Sequence, residues 1–193
     1  MTETCTTTEV TQDLDYWRHH ERVSDELRGL LNNANVILAP ESFRDLDDLV
    51  FPTGTTEFYQ FLQEHSPADL HVEIAADDQQ YRELALHADL VRIAQVVTEF
   101  IVAPVTATLV ASYLWAWLGS RFAETNVRTS IVVDMKRKKY RIEYEGPAPA
   151  FESTVKNAIA QLGAAKQIDD PSLPPTSIAA EPEVLPPTPK EPK

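Results

Sequence analysis

The sequence predicts an α+β fold: a small mixed sheet with a C-terminal antiparallel hairpin, packed against a long apolar helix and two or three amphipathic helices. Residues 70–76 and 138–146 alternate apolar and polar side chains, which is typical of half-buried strands. Residues 150–163 place apolar side chains at helical spacing, and residues 100–118 carry no charge at all. These patterns together predict a protein with both helices and sheet.

Composition and length predict one folded domain. The chain has 193 residues, of which 43% are hydrophobic and 24% charged, as in ordinary globular proteins. We expect a mobile N-terminus over residues 1–8, a single α+β domain over 9–165 and a disordered tail over 166–193. The tail prediction follows from its eight prolines and its few apolar residues.

The charge of the chain is acidic and uneven. The formal net charge is −13, and residues 1–99 hold 6 Lys and Arg against 20 Asp and Glu. Phosphate backbones repel such a surface, so we do not expect nucleic acid as a partner. The single cysteine, Cys5, excludes a disulfide within one chain, and the first residues lack the features of a secretory signal. We therefore expect a cytoplasmic protein, associated with a membrane only if its apolar segment enters a bilayer.

The first part of the chain predicts helix, strand, loop, helix and strand in that order. Apolar residues recur at steps of three and four over 9–33, which predicts an amphipathic helix. The short apolar run 34–40 ends at a proline and predicts a buried strand. The acidic stretch 41–55 predicts a loop, residues 56–65 a short helix and residues 70–76 a half-buried strand.

Residues 79–122 are predicted to form one long helical stretch in two styles. In its first half, Leu86, Leu90 and Ile93 begin an apolar stripe at helical spacing among charged residues. The second half, 100–118, has no charged face, so we expect it to be hidden from water.

Two strands and a helix are predicted to complete the domain. Residues 129–135 and 138–146 predict an antiparallel hairpin, since a short basic turn separates two runs with strand character. Residues 150–163 predict an amphipathic helix that ends at Gly163.

Three interpretations of the uncharged segment 100–118 stay open. Its length suits a transmembrane helix with an aromatic belt at one end, and it equally suits a helix buried in the core of the domain. In the third interpretation, small residues four apart let two helices approach closely at a subunit or partner interface. The residues of this interface or membrane site are Ala103, Ala107, Ala111, Tyr113, Trp115 and Trp117.

A basic turn joins the last two predicted strands. It consists of Lys136, Arg137, Lys138 and Lys139. Such a patch can contact anionic lipid beside the apolar helix, or the acidic half of a neighbouring molecule. The alternative is an ordinary solvated hairpin turn.

Motifs for catalysis, metal binding or cofactor binding are not recognisable in the sequence. The adjacent pair His19 and His20 would point about 100° apart on a helix and cannot chelate one ion together, so we predict no metal site. No GxSxG, HExxH or glycine-rich phosphate loop occurs, so we predict no cofactor and no catalytic residue. An enzyme of unrecognised type stays open, because catalytic groups can be assembled in space.

The arrangement over residues 70–146 has a recognisable order. It comprises a strand, a helix that becomes increasingly apolar and ends in ASYLWAWLGSR, and two short strands joined by the turn MKRKK. This order resembles small accessory modules found beside effectors in bacterial conflict systems. The resemblance covers under half of the chain and includes no catalytic motif, so it implies a binding or signalling accessory rather than an enzyme.

These observations favour a non-enzymatic interaction protein in a bacterial defence or signalling system. Its apolar helix would be buried against a protein partner or a second copy of the chain, in an oligomer. The alternative is a membrane-associated effector that inserts residues 100–118 into a bilayer.

Overall fold

The computed structural model describes residues 3–42, 48–85, 90–135 and 137–169, with side chains to residue 165. Within these ranges the chain forms a seven-stranded sheet, a three-stranded sheet and five α-helices, so the prediction of an α+β protein is confirmed. The strands are β1 (Thr4–Glu9), β2 (Val36–Ala39), β3 (Glu41–Ser42), β4 (Leu49–Pro52), β5 (Val72–Ile74), β6 (Glu83–Leu84), β7 (Leu90–Arg92), β8 (Gln95–Glu99), β9 (Asn126–Asp134) and β10 (Lys139–Pro147). The helices are α1 (Leu14–Arg18), α2 (Asp25–Leu31), α3 (Thr55–His65), α4 (Ala103–Leu118) and α5 (Phe151–Asp169).

The larger sheet has the strand order β1-β10-β9-β8-β2-β5. β9 and β10 pair antiparallel along their whole length, and β1 adds an antiparallel edge to β10. β7 pairs with the start of β9 and β8 with its end, both in parallel. Since α4 connects β8 to the parallel strand β9, these three elements form a β-α-β unit. The smaller sheet has the order β3-β4-β6.

Helices α3, α4 and α5 lie on one face of the larger sheet and build the main core with it. Val36, Val96, Ile131 and Ile142 point to this face from four neighbouring strands and are at most 1% exposed. Phe151 at the start of α5 is buried against the same group. We call this the helix-covered face.

The opposite face of the sheet is covered only in part. Ile37, Val97 and Val132 form a second, smaller core there with Trp17 of α1 and Leu31 of α2. The first residues of β9 and the middle of β10 lie beyond these two short helices and carry polar side chains on this side. We call it the open face.

Residues 79–85 and 90–102 are not helical, so the prediction of one long helical stretch over 79–122 is wrong. Leu90–Arg92 and Gln95–Glu99 are strands, and α4 begins only at Ala103. β8 lies between β2 and β9 and is buried on both faces, so its apolar residues follow one another instead of alternating. Such a run has no periodicity that separates a central strand from a helix. Residue Leu86 of the predicted stripe lies outside the described residues.

The N-terminal region also differs from the prediction. Residues 4–8, predicted to be mobile, belong to an edge strand that is paired with β10, as the β-branched threonines favour. The predicted helix 9–33 is divided into α1 and α2. The side chains of Asp13 and Ser24 each accept a hydrogen bond from a backbone N–H three residues later, and so each begins a separate helix.

Two further boundaries are shifted. Within the predicted loop 41–55 the structure has the strands β3 and β4, and residues 43–47 lie outside the described residues. α5 continues to Asp169, beyond the predicted end at Gly163 and into the predicted tail. The rest of that tail, 170–193, lies outside the described residues.

Candidate functional site

All six residues of the predicted interface or membrane site lie on α4, and the structure divides them between two sides of the helix. On the inner side, Ala103 and Ala107 are fully buried and Ala111 is half-buried, against the chain's own core. These small side chains let α4 lie close to the sheet and to α5. Ala103 and Ala107 therefore pack against the chain's own core, and Ala111 keeps part of its surface exposed.

The aromatic residues of α4 surround its C-terminal turns. Tyr113 is buried, and its ring centroid lies 4.8 Å from Phe58 and 5.5 Å from Phe61, both on α3. Trp117 stacks on Tyr113 at 5.8 Å with nearly parallel rings, yet 43% of its surface remains exposed. Trp115 points away from this cluster and is 67% exposed. The predicted aromatic belt is thus split between core and solvent.

The outer face of α4 is apolar and exposed. Ile101, two residues before the helix, is 82% exposed, Val105 43% and Trp115 67%. Ser112, between Val105 and Trp115 in the sequence, and Ala116, directly after Trp115, are exposed too. These five residues recur at steps of three, four and seven and so share one side of the helix. Large apolar side chains gathered on one exposed face are typical of interaction surfaces.

The polar residues of α4 do little to make this surface hydrophilic. The hydroxyls of Thr106, Thr108 and Ser112 donate hydrogen bonds of 2.9–3.1 Å to backbone carbonyls four residues earlier. A hydroxyl satisfied in this way has less need of water. α4 itself carries no charged residue, but Thr108 also donates to Oε1 of Glu152 of α5 at 3.0 Å. Glu152 forms an ion pair with Lys156, so one polar contact borders the outer face.

A proline lies at the start of α4 and a glycine ends it, and a charged residue lies in the chain beyond each end. Pro104 occupies the first turn, where its missing N–H leaves no donor unpaired. Gly119 ends the helix with a φ of 53°, a conformation that glycine adopts readily. Glu99 before the helix and Arg121 after it are both exposed. α4 itself is therefore uncharged, with an exposed anion before it and an exposed cation after it.

The basic turn between β9 and β10 is only partly free for a ligand. Lys139 forms an ion pair with Asp13, with Nζ and Oδ2 2.8 Å apart, and this contact raises the pKa of the lysine. The side chains of Arg137 and Lys138 are exposed, and Lys136 lies outside the described residues. The turn therefore joins the hairpin to the start of α1, since Asp13 is also the cap of that helix.

A metal site requires several ligating side chains close together. The described part of the chain contains no group of three His, Cys, Asp or Glu side chains placed to hold a metal ion. Burial raises the pKa of Tyr113 to about 12, with a further contribution from the charges of Glu57 and Glu83, so this phenol stays neutral. None of the helices in the described ranges has both the length and the hydrophobicity needed to span a bilayer.

The chain matches no protein-family model, no curated protein and no solved structure.

The sequence prediction missed two groups of residues. Ile101 and Val105 belong to the segment predicted to be hidden from water, although they lie on its exposed side. Arg92, Arg128 and Arg141 are not among the predicted site residues, yet the sheet brings them to one cavity on the open face. In β9 and β10 these arginines alternate with apolar residues, which indicates that they face away from the core. This alternation does not show which strands lie side by side, and so it does not predict the cavity.

Proposed function

We propose that this protein is a non-enzymatic interaction module that self-associates through the outer face of α4. The observation that carries the proposal is the exposure of Ile101, Val105 and Trp115 on one uncharged helical face. Burying such side chains in an interface removes apolar area from water at about 25 cal/mol per Å². Tryptophan is also enriched among the residues that dominate binding energies.

A second copy of the chain is a suitable occupant because the face complements itself. In a twofold-symmetric dimer, two α4 helices that meet along these faces can run antiparallel. Each exposed Glu99 then approaches the exposed Arg121 of the other copy, at both ends of the pair. The chain has a net charge of −13 and would repel itself elsewhere, whereas α4 contributes no charge to this contact.

The biological setting is proposed from the resemblance over residues 70–146. Accessory modules of bacterial conflict systems act by binding or signalling, and a self-associating helical face is consistent with that role. In this proposal the protein belongs to a bacterial defence or signalling system and presents an oligomeric form to its effector.

The mass in solution tests self-association directly. We expect light scattering over a range of concentrations to give a dimer for the unaltered chain and a monomer for Val105→Glu and Trp115→Glu. The matched control is Leu30→Glu, because Leu30 of α2 is also exposed, at 52%, but lies away from α4. A monomeric unaltered chain, or a dimer that survives both α4 substitutions, would contradict the proposal.

The end charges test the antiparallel arrangement. Glu99→Arg and Arg121→Glu should each weaken the dimer, since each places like charges together, and the double substitution should restore it. Equal weakening in the double variant would exclude the antiparallel arrangement.

Membrane association is the competing function, because exposed tryptophan and isoleucine also insert into lipid interfaces. Sedimentation with vesicles, with and without anionic lipid, separates the two. A monomer that sediments with vesicles through Trp115 would favour the membrane-associated alternative over self-association.

A further inference from the structure

A cavity of about 320 Å³ lies on the open face of the larger sheet, beside α1. Its floor includes Arg92 of β7, Arg128 and Ser130 of β9, and Arg141 of β10. Arg92 and Arg128 are direct neighbours across the parallel pair of β7 and β9. Arg141 lies opposite Val132, the position two residues along β9 from Ser130. Three guanidinium groups from three different strands therefore line one cavity.

The period of the strands places these side chains together. Val127 and Ile131 of β9 and Ile142 of β10 belong to the core on the helix-covered face. Because successive side chains of a strand point to opposite faces, Arg128 and Arg141 point to the open face. The size of the cavity is at the lower end of the range for small-molecule sites.

Both signs of charge occur around the cavity. Among the described residues, three arginines and two carboxylates, Glu41 and Glu143, line it. Arg128 also lies 3.5 Å from Glu145, at the rim, where its side chain is 44% exposed. Burial raises the pKa of Glu41, although the charges of the three arginines act in the opposite direction.

The hydrogen bonds of the cavity show a surplus of donors. Arg141 donates from Nη2 to Oε1 of Gln12 at 2.9 Å, but its Nε is buried and has no acceptor among the described residues. Nε1 of Trp17, which lines the same cavity, is likewise buried and lacks an acceptor there. Buried donors without an acceptor are costly, so this side of the cavity is rich in donors and poor in acceptors among the described residues.

We propose that this cavity binds the oxyanion group of a small ligand, a phosphate or a carboxylate. The planar guanidinium groups of Arg128 and Arg141 match the paired oxygens of such a group, and Arg92 beside them adds positive charge. The ligand class follows from this donor set, independently of the role of α4 in self-association.

The indole signals of the three tryptophans give a direct test with an internal control. In a ¹⁵N-resolved NMR spectrum, inorganic phosphate and acetate are titrated separately at constant ionic strength, so that general screening does not change. We expect the Trp17 indole N–H signal to shift with increasing anion concentration until the site is saturated. The signals of Trp115 and Trp117 on α4 should stay unchanged.

A shift with phosphate alone identifies a phosphate-bearing ligand, and a shift with acetate alone a carboxylate. A Trp17 signal that moves with neither anion would overturn the proposal.

Substitutions of the arginines test where the anion binds. Arg141→Met and Arg128→Met should each weaken binding by roughly tenfold or more, since each removes a charged hydrogen-bond donor. Arg128 is partly exposed, so its variant should fold even if Arg141→Met does not. The matched control is Arg137→Met in the exposed turn, which should bind as the unaltered chain does. Unchanged affinity in Arg128→Met and in a folded Arg141→Met would overturn the proposal.

A substitution of Glu41 tests whether the cavity binds an added anion or whether its arginines are occupied by the chain's own carboxylates. Glu41→Gln removes a negative charge from the cavity and should tighten binding of phosphate or acetate, most clearly near neutral pH. Among the described residues, the charged groups that act on Glu41 are Arg92, Arg128, Arg141 and Glu143, all from the larger sheet. Anion binding that does not tighten in Glu41→Gln would place the anion outside this cavity and overturn the proposal.

Discussion

The two faces of the larger sheet are built from alternate residues of the same strands but serve different ends. On the helix-covered face, Ile131 and Ile142 are buried in a dry core that extends across α3, α4 and α5. On the open face, the neighbouring Ser130, Arg141 and Glu143 line a polar cavity. Val132 and Val97 show that the open face also has a buried core where α1 and α2 cover it. Along the part of β10 that lines the cavity, however, we expect substitutions on the helix-covered face to lower stability far more than those on the open face.

The largest expected effect compares two adjacent residues of β10. Ile142→Ala should lower the free energy of unfolding by about 3 kcal/mol, since it leaves a cavity in the core. Glu143→Ala should change it by about 0.5 kcal/mol or less, because that side chain is exposed. Urea titration measures both. Equal losses would show that the open face contributes to stability as much as the core does.

The next effect concerns Asp13, which joins α1 to the basic turn at the edge of the open face. Its carboxylate accepts a hydrogen bond of 2.7 Å from the backbone N–H of Tyr16 and lies 2.8 Å from Nζ of Lys139. Asp13→Ala should cost about 1–2 kcal/mol, the usual range for a lost helix cap. Thermal melting at neutral pH measures this loss, and Asp15→Ala, in the exposed first turn, serves as its control.

The same carboxyl predicts a pH dependence. Burial alone would raise the pKa of Asp13, but the hydrogen bonds and charge of Lys139 and the N–H of Tyr16 lower it below its usual value. The stabilisation is therefore complete above the ordinary pKa of an aspartate and is lost as pH falls through the lower folded value. Melting temperatures between neutral and strongly acidic pH should fall more in the unaltered chain than in Asp13→Asn, in which the lowered pKa values of Glu83 and Glu152 still make stability depend on pH.

A smaller effect of opposite sign is expected at Glu41 on the open face. Its pKa is raised in the folded protein, so ionisation above that pKa costs stability. Glu41→Gln should raise the melting temperature at neutral pH and leave it unchanged at a pH where the carboxyl is protonated in both states. A lower melting temperature at neutral pH would mean that ionised Glu41 stabilises the fold through the arginines.

The smallest effect on stability is expected outside the sheet, at Trp115. Its side chain is 67% exposed, so Trp115→Ala should change the free energy of unfolding of the monomer by about 0.5 kcal/mol or less. Unfolding at a concentration too low for dimers measures this value. A loss of several kcal/mol would mean that the outer face of α4 is part of the monomer's core.

Some of the fold could be predicted because the relevant patterns are local. The alternation of Tyr140, Ile142 and Tyr144 with charged residues is a strand signal within seven residues, and the structure has β10 there. The apolar spacing over 56–65 coincides with α3. Neither element depends on distant residues for its periodicity.

Other parts could not be predicted because they depend on neighbours far along the chain. Residues 95–99 look equally like a helix or a central strand, and the partners that decide are β2 and β9. Ala103 and Ala107 form a row of small residues, and sequence spacing alone does not say whether a helix packs against its own sheet or against a second copy. The structure places that row inside the chain.

The sequence by itself determined the α+β class, the acidic surface and the uncharged character of the segment that contains α4. These properties depend on composition and on periodicity over a few residues, which act in any environment. Only the tertiary structure decided which side of α4 is exposed and which strands lie side by side. Arg92, Arg128 and Arg141 meet in one cavity because strand order and register join distant segments, and hydrogen bonds between strands do not depend on the identity of the side chains.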